Sequence, residues 1–199
     1  MKEFWNERYK AEEFAYGTKP NEFLANKIEE LEPGKILLPF EGEGRNAVFC
    51  STQGWKVDAF DFSEAAKQKA ESLAKIKNVN VNYEISDLHH YDFSENTYDA
   101  AALIFAHPPA DLRHVLHQNI IKSLKPGGTL ILEAFHVKQL HHNRASGGPK
   151  NEEMLYTEAM LQQDFKALQI LSLKHEVIEL QQGNFHKGKA EIIRLFATK

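Results

Sequence analysis

The sequence predicts an α/β domain organised around a mostly parallel sheet. Apolar runs of strand length alternate with amphipathic helical patterns, which is the order that a parallel sheet requires. Residues 98–106 are nearly all apolar, as expected of a central strand that is covered on both faces. Residues 36–63 contain a strand, a glycine-containing turn, a helix and a second strand that ends in an acid. That order is half of a mononucleotide-binding βαβ unit.

Length and composition indicate one domain, residues 1–199. A chain of 199 residues with 42% hydrophobic content can bury one sizeable core. The net charge of -4 argues against a broad nucleic-acid surface. A single cysteine, Cys50, cannot form an internal disulfide, and no run has the length of a signal peptide or membrane span. We therefore expect a cytoplasmic protein with no membrane or nucleic-acid partner, and the sequence leaves the oligomeric state open.

Two helices are predicted before the first strand. Residues 4–14 have an amphipathic pattern with an aromatic face that includes Phe4, Trp5 and Tyr9. Asn21 is a suitable N-cap for a second helix over residues 22–31, which the Pro-Gly pair at 33 and 34 ends.

The turn after the first strand carries Gly42 and Gly44. A strand that turns directly into a helix requires positive φ or close backbone approach, and a Cβ would block either. The following helix, residues 45–53, is expected to bury Cys50 and to end at Gly54. A plain turn, with Asp61 as a helix cap, remains the alternative because a lone glycine pattern is weak.

Charge indicates which ligand this turn binds. A pyrophosphate site offers free N–H groups and normally avoids anions, yet Glu41 and Glu43 lie inside the turn. Carboxylates at about 4 to 6 Å would repel phosphates by roughly a kcal/mol or more. S-adenosylmethionine has an amino group, a sulfonium and no phosphate, so it tolerates these acids. Asp61, at the tip of the second strand, can accept both hydroxyls of an adenosine ribose.

The remaining pattern continues the alternation of helices and strands. Ser63 is a suitable N-cap for the next helix and Asn78 a suitable end. The predicted elements are a helix at 64–76, strands at 79–85 and 98–106, a helix at 110–124, a strand at 129–135, a helix at 157–168 and strands at 170–180 and 190–197. A Pro-Gly-Gly turn at 126–128 precedes the strand at 129–135.

The motif EGEGRN at residues 41–46 and the Pro-Gly-Gly turn resemble class I S-adenosylmethionine-dependent methyltransferases, most closely the tellurite-resistance and thiopurine methyltransferase-like group. The resemblance implies a Rossmann-like three-layer sandwich, whose seven-stranded, mostly parallel sheet ends in an antiparallel C-terminal hairpin. It also implies S-adenosylmethionine as the cofactor. The sequence departs from the family motif at two positions, where Leu38 replaces the usual acid and Phe40 the first glycine.

The resemblance also implies a set of cofactor-binding residues. Glu41 is the candidate for the amino group of the methionine end, Asp61 for the ribose and Asp87 for the adenine amino group. The N-terminal helices of residues 1–32 are expected to cover the cofactor, with core packing as the alternative for Trp5 and a solvated turn as the alternative for Asp87. The full predicted set is Trp5, Tyr16, Glu41, Gly42, Gly44, Arg45, Asn46, Asp61, Phe62, Ser63, Asp87, Leu88 and Phe105.

The methyl acceptor is expected beyond the fourth strand. His107 follows that strand at the edge where ligands bind in open α/β sheets, and it is our first candidate for contact with the acceptor. Arg144 would suit an oxyanion, and His186 is the third candidate. Residues 136–155 are polar and lack periodicity, so we expect a loop that acts as a substrate lid.

These residues favour methyl transfer to a small molecule, such as a thiol, an oxyanion or another soft nucleophile. An amine or hydroxyl acceptor would need a base, and the sequence leaves this point open. A metal site built on His141 and His142 lacks helical ligand spacing and partner cysteines. A nucleotide-dependent oxidoreductase would require a fuller glycine loop. A non-catalytic S-adenosylmethionine sensor remains possible on the sequence alone.

Overall fold

The computed structural model describes residues 2–142 and 144–199. Met1, in the predicted 1–32 segment, and Asn143, in the predicted 136–155 lid, lie outside the described residues. The elements in chain order are α1 Lys2–Tyr9, α2 Glu22–Glu29, β1 Lys35–Pro39, α3 Arg45–Thr52, β2 Lys56–Asp61, α4 Glu64–Lys77, β3 Asn82–Ile85, β4 Tyr98–Ile104, α5 Ala110–Ser123, β5 Leu124–Phe135, α6 Lys138–His141, α7 Glu158–Asp164, β6 Gln169–Gln182 and β7 His186–Thr198. None of the described helices has the length and apolar character needed to cross a membrane.

The strands form one sheet in the order β3-β2-β1-β4-β5-β7-β6. Strands β1 to β5 are parallel, and β7 is antiparallel to both of its neighbours, β5 and β6. The predicted seven-stranded, mostly parallel sheet with a C-terminal antiparallel hairpin is therefore confirmed. The order reverses between β1 and β4, and ligands of open α/β sheets bind at the carboxyl ends of the strands beside such a reversal.

Helices cover both faces of the sheet and complete the three layers. One buried cluster joins α2, α3 and α4 to the sheet and includes Leu24, Ile28, Ile36, Leu38, Ala47, Cys50, Ala70, Ala100 and Ala102. The opposite cluster joins α5 and α7 to it and includes Leu37, Phe60, Ala101, Leu103, Leu116, Ile120, Leu161 and Phe165. Alternate side chains of β1 and β4 enter opposite clusters, because successive strand residues point to opposite faces. Both strands are therefore apolar almost throughout.

Hydrogen bonds confirm the three predicted helix caps. Oδ1 of Asn21 accepts from the backbone N–H of Leu24 at 2.9 Å, and Oγ of Ser63 accepts from that of Ala66 at 3.2 Å. Asn78 ends α4 in the left-handed conformation, with φ of 53°. The local sequence therefore determines where these helices begin and end.

Several predicted boundaries differ from the observed ones. Helix α1 ends at Tyr9, five residues before the predicted end at residue 14, and the backbone N–H of Ala15 instead donates to Glu43. Strand β3 begins at Asn82, because the N–H of Val79 donates to Ala74 and closes α4. Ile76, the last residue of the predicted helix over residues 64–76, is 72% exposed.

Residues 136–155 are more ordered than the sequence pattern predicts. They contain α6 and a 3-10 turn, Glu152–Met154. The buried side chain of Gln139 donates to Oγ of Ser146 at 3.0 Å and accepts from the backbone N–H of Glu191 at 2.9 Å. Polar contacts of this kind leave no apolar periodicity, so the sequence pattern could not reveal the order.

Candidate active site

A cavity of about 820 Å³ opens at the carboxyl edge of the parallel strands. Its walls come from α1, the segments that follow β1 to β4, the end of β5, residues 148–154 and the first residue of β7. The volume lies within the range of roughly 300 to 1,000 Å³ that small-molecule sites have. The cavity is thus where the sheet topology predicts a ligand.

The two glycines of the β1–α3 turn serve different purposes. Both have positive φ, 62° at Gly42 and 83° at Gly44. A Cβ on Gly42 would lie 2.8 Å from Oη of Tyr9, whereas a Cβ on Gly44 would lie 2.4 Å from Cβ of Ala70. Gly42 lines the cavity, and Gly44 is not among the described residues that do. Gly44 therefore allows α3 to pack on α4, which differs from its predicted contact with the cofactor.

Phe40, at the position of the usual first glycine, has a backbone conformation that favours glycine. Its φ is 54°, a left-handed value that a bulky residue rarely adopts. Its ring packs against Phe60 and Phe62, with centroid distances of 5.7 and 6.4 Å. Leu38, at the position of the usual acid, is fully buried in the core. The turn thus includes a left-handed residue although the usual glycine and acid are replaced by Phe40 and Leu38. Backbone strain of this kind is concentrated at functional sites.

The carboxylate of Glu41 occupies the N-terminus of α3. Its Oε1 accepts from the backbone N–H groups of Asn46 and Ala47, both at 2.8 Å. Burial raises the pKa of Glu41 to about 7, although these hydrogen bonds act in the opposite direction. A phosphate would need the same N–H donors. The turn therefore disfavours phosphate chiefly by occupying its binding groups.

Glu43 does not act as the sequence analysis predicts. Its Oε1 lies 2.7 Å from Nζ of Lys69 and also accepts from the N–H of Ala15 at 3.1 Å. The ion pair compensates the charge of Glu43, so repulsion of a phosphate by this residue is weaker than predicted. The carboxylate instead attaches the N-terminal segment to the turn.

Arg45 and Asn46 hold surrounding segments around the cavity that they line. Nη1 of Arg45 donates to the carbonyl of Tyr16 at 3.3 Å, and Nη2 donates to Oε1 of Gln182 on β6 at 2.7 Å. Oδ1 of Asn46 accepts from the backbone N–H of Asn21 at 2.8 Å. Both side chains thus connect the β1–α3 turn to the N-terminal segment.

Asp61 lies at the end of β2 and lines the cavity, as predicted. Its Oδ2 accepts from the N–H of Gly42 at 3.2 Å and its Oδ1 from that of Ser63 at 2.9 Å. Burial raises its pKa to about 6. Phe62 lines the cavity, but Ser63 is a fully buried cap bonded to Asn6 and is not among the described lining residues.

Asp87 and Leu88 line the cavity beyond β3. Oδ1 of Asp87 accepts from the backbone N–H groups of His89 and His90 at 2.9 and 3.2 Å. The ring of His90, 2.7 Å from the same oxygen, is the main cause of the lowered pKa of Asp87. Asp87 thus stabilises its own turn, which was the alternative for this residue, while it also faces the cavity.

Aromatic side chains from the end of β4 and from the N-terminal segment form another wall of the cavity. Phe105 directly follows β4 and has φ of 52°, and Trp5 and Tyr16 approach from the N-terminal segment with their rings 6.5 Å apart. Of the two N-terminal helices, α1 borders the cavity, whereas α2 packs Leu24 and Ile28 into the core. The prediction that the helices of residues 1–32 cover the cofactor therefore needs correction for α2, because α2 belongs to the core and is not among the described segments that border the cavity.

His107 borders the cavity, but both of its ring nitrogens are occupied. Nδ1 lies 2.7 Å from the carbonyl of Met154, and Nε2 accepts from the N–H of Phe135 at 3.2 Å. This pairing requires a neutral ring with its proton on Nδ1. Burial also lowers the pKa of His107 to about 4. His107 is therefore a poor general base, and its clearest role is to hold residue 154 beside β5.

The structure places Arg144 away from its predicted contact with the acceptor. Its Nη2 donates to Oε1 of the buried Glu191 at 3.0 Å, and it is not among the described residues that line the cavity. His142 and His175 also contact Glu191, at 2.6 and 2.8 Å. Burial acts to raise the pKa of Glu191, but these hydrogen bonds outweigh it and hold the pKa at about 2.

His186 borders the cavity, and its side chain is only 7% exposed. Its Nδ1 is buried and has no hydrogen-bond partner among the residues that the structure describes. Burial, aided by the nearby charge of Arg45, lowers the pKa of His186 well below its usual value. The lining also includes residues outside the predicted set, among them Arg8 and Phe135. Phe135 could have been found, since it is the last residue of a parallel strand.

Comparisons with known proteins agree with this geometry. Residues 40–128 match a family described as "Methyltransferase domain". The chain is 27% identical over 144 residues to a tRNA (uracil(54)-C(5))-methyltransferase of Pyrococcus abyssi. That match covers 64% of this chain and 34% of the relative, so the chain spans about a third of the relative's length.

Solved structures give the same fold. TehB from Haemophilus influenzae superposes with a TM-score of 0.74 and 17% identity, over 100% of this chain and 66% of that one. A Burkholderia thailandensis 1,6-didemethyltoxoflavin-N1-methyltransferase, solved with S-adenosylhomocysteine, gives a TM-score of 0.64 and 19% identity over 89% of this chain and 78% of that one. The resemblance to class I methyltransferases is thus confirmed, and at these identities the likeness establishes the fold.

Proposed function

We propose that this chain, whose residues 40–128 form an S-adenosylmethionine-dependent methyltransferase domain, transfers a methyl group to a small-molecule acceptor. The observation that carries the proposal is the β1–α3 turn. Phe40 adopts a left-handed conformation at the position of the usual glycine, and Glu41 occupies the helix N-terminus that a phosphate would need. Such a turn suits an adenosyl ligand that carries an amino group and no phosphate.

Each part of the cofactor has a candidate partner. Asp61 at the end of β2 would accept the ribose hydroxyls, and Asp87 with Leu88 would border the adenine. Oε1 of Glu41 caps α3, whereas its Oε2 makes only a long contact of 3.4 Å with Asn46. That oxygen therefore retains capacity for the amino group of the methionine end.

The residues that line the cavity would orient the acceptor and exclude water from it. When bound, S-adenosylmethionine supplies an electrophilic methyl group for in-line displacement. The cavity walls would hold the acceptor in line and keep water away from it. Because both ring nitrogens of His107 are occupied, His107 is not a base for the reaction, and the proposal favours an acceptor that has no proton to lose when it attacks. A thiolate, an oxyanion or another soft nucleophile meets this requirement.

Calorimetry with S-adenosylhomocysteine and NAD tests the cofactor assignment. We expect S-adenosylhomocysteine to bind and NAD to bind at least about tenfold more weakly, because the phosphate donors of α3 are occupied. Tight NAD binding with no signal from S-adenosylhomocysteine would overturn the proposal in favour of an oxidoreductase.

A screen of acceptors, with release of S-adenosylhomocysteine as the signal, tests the reaction. A transfer RNA belongs in the screen, because the Pyrococcus abyssi relative is named for action on tRNA. The net charge of -4 favours small molecules, and tellurite and small thiols are suitable first acceptors given the likeness to TehB. Binding of the cofactor without turnover of any acceptor would favour the sensor instead. We also propose a cytoplasmic location, on the basis of the single buried cysteine.

A further inference from the structure

The order of strand ends divides the cavity into two halves. Asp61 ends β2 and Glu41 follows β1, while Phe105 follows β4, Phe135 ends β5 and His186 begins β7. In the sheet order β3-β2-β1-β4-β5-β7-β6, the last three therefore lie on the side away from β2 and β3. If the cofactor binds at Asp61 and Glu41, as the proposed function requires, this second half is left for another molecule.

Aromatic rings that are in contact with one another form a wall of the second half. The ring of His186 lies 4.4 Å from that of Tyr16, 4.5 Å from that of Phe105 and 5.2 Å from that of Phe135, measured between centroids. Phe105 and Phe135 are themselves 4.8 Å apart. We call these four side chains the aromatic chamber. Walls of this kind favour an apolar body, because they remove apolar surface from water.

The backbone of the 136–155 segment lies directly on the aromatic chamber. A Cβ on Gly147 would meet Cδ2 of His186 at 2.7 Å, and a Cβ on Gly148 would meet Cδ2 of Phe135 at 2.9 Å. Both glycines have positive φ, 125° and 90°. The segment thus approaches the chamber more closely than any residue with a side chain could.

His186 is the polar member of the chamber. Its side chain is more than nine-tenths buried, and no hydrogen bond is described for either ring nitrogen. His107 differs from His186, because backbone groups occupy both nitrogens of its ring. Buried polar groups normally have partners, and an imidazole without one at a cavity wall is placed to meet a ligand.

Positive charge lies beside the chamber. The guanidinium of Arg8 is 4.6 Å from the ring of Phe4 and 4.2 Å from that of Phe185, and it donates to Oη of Tyr16 at 3.1 Å. Arg45 lies close enough to affect the ionisation of His186. Among the described residues, neither arginine forms an ion pair, although the charges of Glu41 and Glu133 act on Arg45 and compensate part of its charge. The remaining positive charge, chiefly that of Arg8, disfavours a cation in the chamber.

We propose that the aromatic chamber is the acceptor subsite, and that it takes a small apolar molecule whose single polar head is uncharged or anionic. The imidazole of His186 hydrogen-bonds to that head. Protonated amines are excluded, because they would bring a third positive charge beside Arg8 and Arg45. The proposal rests on the proposed function, because the cofactor must occupy the other half of the cavity.

Three probes with the same ring and different heads test the subsite. Benzyl alcohol, benzoate and benzylammonium are titrated into protein loaded with S-adenosylhomocysteine, and the histidine ring resonances are followed by NMR. We expect the alcohol and benzoate to shift the His186 signals and benzylammonium to bind at least about tenfold more weakly. Equal binding of benzylammonium and benzoate, or no binding of any probe, would overturn the proposal.

Two variants of His186 distinguish its hydrogen bond to the polar head from its contribution to the aromatic wall. His186→Phe keeps an aromatic ring and should weaken binding of the alcohol about fivefold to tenfold, whereas His186→Gln keeps a hydrogen-bonding group and should recover most of the affinity. His114→Gln, at an exposed histidine of α5, is the matched control and should change nothing. Unchanged affinity in His186→Phe would remove His186 from the subsite. Calorimetry with S-adenosylhomocysteine on each variant tests the proposed function separately from the subsite. If the proposed function is wrong, S-adenosylhomocysteine will not bind.

Discussion

Arg144 and Glu191 form an ion pair that joins residues 136–155 to β7. Nη2 of Arg144 lies 3.0 Å from Oε1 of Glu191, whose side chain is only 1% exposed. His142, from the same segment, contacts the same oxygen at 2.6 Å. The segment that covers the aromatic chamber is therefore attached to the sheet by charge, and the strength of this attachment can be changed by mutation.

Arg144→Met should loosen that segment without affecting the cofactor half of the cavity. Loss of a partly exposed ion pair is expected to cost about 1 kcal/mol, which corresponds to roughly fivefold faster amide exchange. Hydrogen exchange of residues 145–151 would measure the effect, and turnover should fall while affinity for S-adenosylhomocysteine stays the same. Lys138→Met, at an exposed position of α6, is the control. Equal exchange in both variants would mean that the ion pair does not hold the segment.

Asp61→Asn should weaken binding of S-adenosylhomocysteine. A hydrogen bond to a charged acceptor contributes about 1.5 to 3 kcal/mol, so calorimetry should show a loss of about tenfold to a hundredfold. The melting temperature must be measured in parallel, because Asp61 also accepts from Gly42 and Ser63. Asp92→Asn, at an exposed carboxylate, should bind normally. A folded Asp61→Asn variant with normal affinity would exclude Asp61 from the ribose site.

Cofactor affinity should depend on pH through Asp61. Burial raises the pKa of this carboxyl to about 6, so the free protein is largely protonated there at pH 5. The ribose requires the ionised form, and affinity should therefore be full well above pH 6 and fall by up to about tenfold per unit below it. Titrations in buffers of different ionisation enthalpy would detect the released proton. Protonation of Glu41, whose pKa is about 7, should also lower cofactor affinity, by a smaller factor and beginning at higher pH.

Folding stability should change with pH in the opposite direction. A raised pKa means that the native state binds more protons than the unfolded state between about pH 4 and 6. The contribution of Asp61 is therefore most favourable below pH 4 and is lost as the pH rises through 6. Urea unfolding without ligand should show this trend in the wild type and a smaller one in Asp61→Asn. Identical pH profiles would show that Asp61 does not carry the raised pKa.

Gly44→Ala should destabilise the fold through Ala70. The new Cβ would lie 2.4 Å from Cβ of Ala70, and the residue would have to keep φ of 83°. Together these effects should cost about 2 to 4 kcal/mol. Ala70→Gly in the same chain should recover only some of the loss caused by the clash, because Cα of residue 70 would still lie 2.8 Å from the new Cβ. Urea unfolding of the two single variants and the double variant would measure this recovery. Strict additivity would mean that the two residues do not interact.

The sequence by itself determined those features that depend on neighbouring residues. Asn21 and Ser63 are caps because their side chains bond to N–H groups three residues ahead. The apolar character of residues 98–106 identified β4, because a strand covered on both faces needs no polar positions. Asp61 was found in the same way, because the end of a strand marks the binding edge of the sheet.

Only the tertiary structure decided which polar groups meet across the chain. Lys69 compensates Glu43 over a separation of 26 residues, Arg144 pairs with Glu191 over 47, and His107 is occupied by the carbonyl of Met154. Charge in the sequence indicates only that a group needs a partner. Which partner it finds depends on how the strands and helices pack, and no local pattern records that. Among the residues that the structure describes, the same packing leaves Nδ1 of His186 without a hydrogen-bond partner at the cavity wall.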